Sequence, residues 1–423
     1  MLVGYAFDLQ AVAVNYYPPP PVRAFASTIA SGAATAFGVA TGDLNGDGKA
    51  DVVMPNGGAT FSVSLGYGDG SFKPPLILKN GEPNPAGVNA VAIGDLNGDG
   101  KLDIVSTNNA GAGVQSSVSL FLGNGDGTFQ NPRRSNAGTT GVFGVAITDA
   151  NGDGKRDLLV AQSGGGIAAL LGNGDGTFQA LRSSTSPISG HGFVSAGDLN
   201  NDGRIDVFLT SNDNSTTIAH LGNGDGTFQG GVLTPLFGFR PWANSLADVN
   251  ADGRLDGIVA FNGTNQAAVY LGNGDGTFLA PVAVSIPGAP AFAYAADLDG
   301  DGRPDLIVNS NNGRAVYTAI GNGDGTFQEP VAQAVESSLL FDAAPVDLDG
   351  DGRLDIVTGG YWDGNIYALL NTYPPRSGRP VISRATPKLT PGDTTVTLAG
   401  ANFLPGLAIS VDGVPVTARF VSP

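Results

Sequence analysis

The chain has 423 residues, a formal net charge of −17 and no cysteine, and 41% of it is hydrophobic. That apolar content is enough for a packed core, while the acidity argues against nucleic acid and anionic membrane surfaces as partners, since both need Lys and Arg. The lack of cysteine excludes disulfides, thiolate metal sites and thiol nucleophiles, and 65 Gly with 27 Pro point to many tight turns between short strands rather than to helices.

Residues 1–19 hold neither a basic n-region nor an apolar run long enough for a signal or a membrane span, and they are read as a leader or linker. The next stretch, PPVRAFASTIASG at 20–32, precedes the first repeat as QEPVAQAVESS at 328–338 precedes the last, and it reads as a spare strand. From Asp43 onward the chain repeats itself. Acidic loops begin at Asp43, Asp95, Asp149, Asp198, Asp248, Asp297 and Asp347, spaced 49 to 54 residues apart. A second phrase interleaves with them, GYGDGSF at 66 and GNGDGTF at 123, 172, 222, 272 and 321.

Between the two phrases lie short runs rich in β-branched and aromatic residues, bounded by Gly and Asn, which read as strands. In the third unit the predicted order is strand A at 142–149, the acidic loop, strand B at 157–161, a turn, strand C at 167–171, a Gly-rich hairpin and an irregular strand D. Seven such four-stranded antiparallel meanders fit radial packing into an all-β, seven-bladed β-propeller over residues 20–373. The seventh unit has predicted strands B and C at 354–358 and 365–370, but there the hairpin phrase is missing and the chain runs into NTYPPRSG. The spare N-terminal strand is therefore predicted to close the last blade.

The loop DLNGDGKAD sets oxygen-bearing side chains at positions 1, 3, 5 and 9, namely Asp43, Asn45, Asp47 and Asp51, with Gly48 at position 6. Odd spacing on a tightly curled loop aims alternate side chains at one centre, and Gly at position 6 allows the sharp turn, as at the start of an EF-hand loop. The later loops repeat the set: Asp95, Asn97, Asp99 and Asp103; Asp149, Asn151, Asp153 and Asp157; Asp198, Asn200, Asp202 and Asp206; Asp248, Asn250, Asp252 and Asp256. The last two strengthen it with a further acid, Asp297, Asp299, Asp301 and Asp305, then Asp347, Asp349, Asp351 and Asp355. Asp, Asn and Gly also make ordinary turns, but seven copies of one ligand spacing point to metal. A crowded all-oxygen cage suits Ca2+ better than Mg2+, which keeps its waters, so up to seven Ca2+ are expected, one per blade. The seven loops hold 23 of the 38 acidic residues, and seven divalent ions would cancel most of the net charge.

These loops between strands, repeated together with GNGDGTF hairpins over about residues 20–371, resemble the FG-GAP/VCBS repeat family, which includes the propeller of integrin alpha subunits. The resemblance implies a seven-bladed propeller with calcium in its A–B loops, carried by the residues just named. Asn201 and Ala251 depart from it in place of Gly at position 4, and Pro304 stiffens the sixth loop at position 8. After a Pro-rich linker at 374–379, residues 380–423 show short alternating strands and the phrase TLAGANF. They resemble the start of an IPT/TIG immunoglobulin-like domain.

The face opposite the acidic loops is built from less repetitive B–C and D–A turns, and both tryptophans of the chain fall there. Trp242, Trp362, Tyr361 and Arg240 are the predicted ligand-binding residues, since aromatic faces beside an Arg suit a sugar or a protein side chain. An enzyme is the rival class. The two histidines, His191 and His220, have no evident Ser or Asp partner in the sequence, and few acids remain outside the two repeated phrases. The expectation is an extracellular or cell-surface binding or adhesion module within a larger multidomain protein. It is expected to be a monomeric ring with a protein or carbohydrate ligand, without nucleic-acid binding or membrane insertion and without catalysis. A polysaccharide lyase on the same scaffold is the alternative.

Overall fold

The uninterrupted apolar runs of the repeats become the second strands of seven four-stranded antiparallel sheets in a computed structural model of the chain. It describes residues 38–372 apart from 82–86, 110–114, 214, 236–239, 338 and 362, together with strands at 12–16, 26–30, 381–386, 397–401, 407–411 and 414–416. The chain divides into two units, one of Ala24–Leu298 with Arg303–Asn371, the other of Met1–Arg23, Asp299–Gly302 and Thr372–Pro423. No helix occurs among the described residues, and so none there is long and apolar enough to cross a membrane.

The larger unit is the predicted propeller. In the third blade strands A to D are Val142–Thr148, Asp157–Gln162, Gly166–Leu170 and Arg182–Thr185, paired in that order. Each boundary lies within about a residue of the predicted one for A, B and C. The seventh blade consists of Leu340–Val346, Asp355–Gly360, Asn365–Leu369 and, as its outermost strand, Ala26–Ala30. The last pairs with strand C in the register Ala26↔Leu369 to Ala30↔Asn365. The ring is thus closed by backbone pairing between its two ends, as the missing hairpin predicted.

Strand B lies between neighbouring blades, so both its faces are covered, which is why it reads as a continuous apolar run rather than an alternation. In the third blade Leu158 and Val160 pack with Val105, Val118 and Leu120 of the second blade. Leu159 and Ala161, pointing the other way, pack with Val207, Leu209 and Ile218 of the fourth. Strand D forms the rim and alternates with solvent instead, as in Arg182–Thr185, where Ser183 and Thr185 are exposed and Arg182 and Ser184 half-buried.

Strand A lines the axis of the ring, and its pairing with strand B breaks register at a recurrent irregularity. In the second to seventh blades the shift falls at Val88/Val91, Val142/Val145, His191/Val194, Pro241/Asn244, Pro290/Phe292 and Leu340/Ala343. A bulge bends its strand and re-aims side chains. Here it brings Trp242 and Asp342 within the displaced segments.

In the smaller unit Val12–Tyr16 pairs with Leu407–Val411, which pairs with Val414–Val416, and Val381–Thr386 pairs with Thr397–Ala401. The stretch read as a leader therefore contributes a strand. The expected beginning of an IPT/TIG domain is not supported, because the described strands form two small sheets and not the paired sheets of an immunoglobulin sandwich. The Pro-rich linker at 374–379 lies outside the described residues.

Candidate functional site

Each acidic loop is held at both ends by residues that are buried for opposite reasons. Position 2 is apolar in all seven copies and sinks into the core, from Leu44 in the first to Leu348 in the seventh. Position 9 is the first residue of strand B, and its Asp is fully buried in every blade. That carboxylate is satisfied by backbone. In the third blade Asp157 Oδ2 accepts from Ala150 N at 2.9 Å and Oδ1 from Gly172 N at 2.7 Å. The same pair of bonds recurs at Asp51 with Leu44 and Gly66, at Asp206 with Leu199 and Gly222, and at Asp305 with Leu298 and Gly321. In the seventh blade, which lacks the hairpin, Asn371 N takes the place of the glycine at 2.6 Å from Asp355. Position 9 is therefore a staple between the acidic loop and the C–D hairpin, a role the spacing alone did not disclose.

Burial raises the carboxyls of Asp51, Asp103, Asp157, Asp206 and Asp256, against the two backbone donors that hold them down, with the neighbouring loop carboxylates adding a smaller upward push. For Asp355 the value reaches about 6.

In the first loop positions 1 and 3 are half-buried and position 5 is exposed, and all three are tied together by hydrogen bonds within the loop. Asp43 accepts from Gly46 N and Asp47 N through Oδ1 and from Gly48 N through Oδ2, at 2.7, 3.1 and 2.7 Å. Asn45 Oδ1 accepts from Asp47 N at 2.9 Å, and Asp47 Oδ1 from Lys49 N at 3.0 Å. The loop's own N–H groups thus set the curl that faces the oxygens inward. In the seventh loop Asp347, Asp349 and Asp355 each offer a carboxylate oxygen within 4.8 Å of the others. Two oxygens on one Ca2+ at about 2.3–2.6 Å are separated by no more than about 5 Å, so the donor set fits a single hard cation in type and spacing.

Position 7 is basic in every loop: Lys49, Lys101, Lys155, Arg204, Arg254, Arg303 and Arg353. Lys155, Arg204 and Arg254 approach the position-5 carboxylates Asp153, Asp202 and Asp252 at 3.8, 4.0 and 4.0 Å, and Arg353 pairs with Asp351. Exposed pairs of this kind contribute little each. The stems of these side chains also cross the hairpin, where a Cβ on Gly174 would meet Lys155 Cδ at 3.2 Å. The first hairpin glycine answers a different need: a Cβ on Gly172 would stand 2.1 Å from Arg156 O. That glycine permits the close approach on which the Asp157 staple depends, rather than a left-handed turn.

At position 4, Ala251 adopts φ 58° where five of the other loops place glycine. An L residue there costs about 1–2 kcal/mol, partly offset by the entropy glycine loses on folding. Ala251→Gly is therefore expected to stabilise the chain by up to about 1 kcal/mol in equilibrium denaturation. A destabilised variant would contradict strain at this position.

On the opposite face Trp242 and Tyr361 pack into one apolar cluster with Phe193, Phe292, Tyr294 and Leu339 around buried Ala243 and Ala291. The rings of Phe193 and Phe292 meet edge to face at 4.5 Å. Arg240 is exposed with φ 57°, and Trp362 lies outside the described residues. His220 is buried in the fourth blade, with Nδ1 2.9 Å from Gln229 O and Nε2 3.3 Å from Ser186 Oγ. A serine partner thus exists, just past strand D of the third blade, in a contact between blades that the sequence did not show.

Beneath the cluster, Asp342 of the seventh blade joins three blades. Its Oδ1 accepts from Tyr294 Oη of the sixth blade at 2.6 Å and its Oδ2 from Val39 N of the first at 2.9 Å. Burial lifts its carboxyl to about 7 against these donors and Ala343 N. The folded value lies above the unfolded one of about 3.9. The stability gained from the protonated acid is thus fully present below about pH 4 and lost as pH rises through about 7. Relative to wild type, Asp342→Asn is expected to gain up to about 4 kcal/mol between pH 4 and pH 8 in denaturant titrations. Parallel curves for the two proteins would remove Asp342 as the cause.

Solved structures share this fold. BBS1N in complex with ARL6DN aligns with a TM-score of 0.56 at 14% identity, covering 83% of this chain and 99% of that one. A catalytically inactive virginiamycin B lyase from Staphylococcus aureus, solved with quinupristin, aligns at 0.56 and 14%, covering 82% and 98%. An Agrocybe aegerita lectin specific for non-reducing terminal N-acetylglucosamine is 21% identical over 74% of this chain and 81% of its own, with a TM-score of 0.48. At such identities the likeness of the first two concerns the fold alone, which hosts unrelated functions. No curated protein matches the chain. The FG-GAP-like repeat matches at 43–106, 95–160, 149–209, 198–259, 248–308 and 297–358, well over half of the sequence, and the chain belongs to that repeat family.

Proposed function

We propose that this chain is a calcium-stabilised propeller that serves as an extracellular binding module for a protein or carbohydrate ligand. The observation that carries the reading is the sevenfold oxygen-only loop, curled by its own N–H groups and anchored by a buried aspartate. Positions 1, 3 and 5 would hold the ion, with the position-9 carboxylate behind them. Calcium suits the many-oxygen donor set, and millimolar extracellular calcium suits loops of modest rigidity. Near-identical loops around one face serve structure better than recognition, because equal sites do not single out one ligand orientation. The non-repetitive face, with Trp242, Tyr361, Trp362 and Arg240, is the proposed recognition surface.

Binding rather than catalysis is supported by the placement of His220, which is buried between strands and pushed by that burial toward its neutral form. A glycan and protein binding screen with calcium present tests the reading. Trp242→Ala combined with Trp362→Ala is expected to weaken binding of the ligand so found at least about tenfold, while the calcium-dependent melt stays intact. Normal binding by the double variant places recognition elsewhere. Cleavage of a polysaccharide in the same screen would replace the binding module with a lyase.

A further inference from the structure

The axis of the propeller holds a cavity of about 190 Å³, walled by strand A residues of the second to seventh blades and by Gly38 and Val39 just before strand A of the first. It has room for roughly six water-sized groups. Its polar lining is unlike that of a water-filled pore, because nearly every group there is an acceptor. Asp342, 7% exposed, contributes the carboxylate. Asn244, 6% exposed, donates its amide N–H to Phe193 O and Thr210 Oγ1 at 3.1 and 3.2 Å, which fixes the amide orientation. Its Oδ1 is buried and accepts no hydrogen bond.

The hydroxyls lining the cavity are committed as donors to protein. Ser195 Oγ donates to Asn244 O at 3.1 Å, Ser245 Oγ to Ala293 O at 2.8 Å, and Tyr294 Oη to Asp342. What they turn to the cavity is lone pairs. No Lys, Arg or His is among the lining residues, and Phe193 and Phe292 supply an aromatic wall. An orphaned buried acceptor and a buried carboxylate call for donors carrying positive charge. An aromatic wall favours a cation that also carries hydrocarbon.

We propose that the axial cavity binds a small alkylammonium cation. The ammonium group donates to the Asp342 carboxylate and to Asn244 Oδ1, and the alkyl part lies against Phe193 and Phe292. The site is distinct from the acidic loops and does not rest on the calcium reading.

Calorimetric titration of the whole chain at pH 8 tests this with n-butylammonium, its neutral counterpart n-butanol, and K+. Butylammonium is expected to bind saturably and at least about tenfold more tightly than butanol or K+. Asp342→Asn should cost at least about tenfold in affinity while keeping the wild-type circular dichroism and melting no lower than wild type. Phe292→Leu, which preserves the apolar volume, should weaken the alkylammonium alone. Binding of butanol as tight as that of the ammonium, or an Asp342→Asn variant that binds normally, overturns the proposal. So does equal affinity for K+, which would make this an inorganic cation site, or the absence of any saturable binding. Repeating the titration in chelator separates the two readings, since the cavity is expected to bind with or without divalent ions.

Discussion

Excess chelator is expected to lower the melting temperature of this chain by the order of 20 °C, and millimolar calcium to restore it. The loops supply the reason. Without a cation, each loop gathers carboxylates at positions 1 and 5, with a third at position 3 of the last two loops, and like charges about 4 Å apart near a protein surface repel by roughly 4 kcal/mol. The loop N–H groups that Asp43 and its equivalents accept relieve part of this, but they are local dipoles and not full charges. A bound ion at 100-fold saturation contributes about 2.7 kcal/mol per site, and the sites act on blades that are packed against one another around a closed ring. Calorimetry in chelator, in calcium and in magnesium decides the matter, with magnesium expected to restore less. A melt that is the same in chelator and in calcium would sink the metal reading for the whole ring at once.

The second large effect concerns position 9. Asp157→Ala removes both acceptors of the staple and leaves Ala150 N and Gly172 N buried without partners, each costing about 1–3 kcal/mol. A loss of roughly 2–6 kcal/mol is expected in denaturant titrations. It is expected in chelator as well as in calcium, because the staple is made of backbone hydrogen bonds and exists without an ion. Asp153→Ala offers the contrast. Its side chain is part of the exposed set, so the substitution should matter in calcium and be nearly silent in chelator. Equal behaviour of the two variants under both conditions would mean that position 9 is only a metal ligand. Gly172→Ala should resemble Asp157→Ala, since a Cβ there would collide with Arg156 O and push the hairpin off the carboxylate.

Much of this architecture could be read along the chain, because a propeller is built from contacts that repeat with the sequence. The spacing of Asp43 to Asp347 yields seven units, and the period-free apolar run of strand B follows from coverage on both faces, as Leu158 and Leu159 show by entering different cores. The closing strand at Ala26–Ala30 was legible for the same reason: the seventh repeat ended one strand short, and an unassigned strand stood at the other end. The oxygen-bearing residues at positions 1, 3 and 5 also lie within a few residues of one another and are tied by hydrogen bonds inside the loop, so local geometry determines their curl.

Other features arise only when residues distant in sequence meet. Asp51 and its equivalents have the spacing of a ligand, yet both oxygens are engaged by N–H groups from two different turns, one of them 15 residues away. The first hairpin glycine looks like a turn residue and is required by a carbonyl from the preceding loop. Asp342 carries no motif at all; the bulge in its strand, the hydroxyl of Tyr294 and the N–H of Val39 across the closure of the ring create its environment. The C-terminal segment suggested a familiar domain from a short phrase, but a sandwich depends on two sheets facing each other, and the described strands form two small sheets instead. The physical distinction is between short-range order, which the repeated residues encode directly, and the burial and pairing of polar groups, which depend on what the closed ring brings against them.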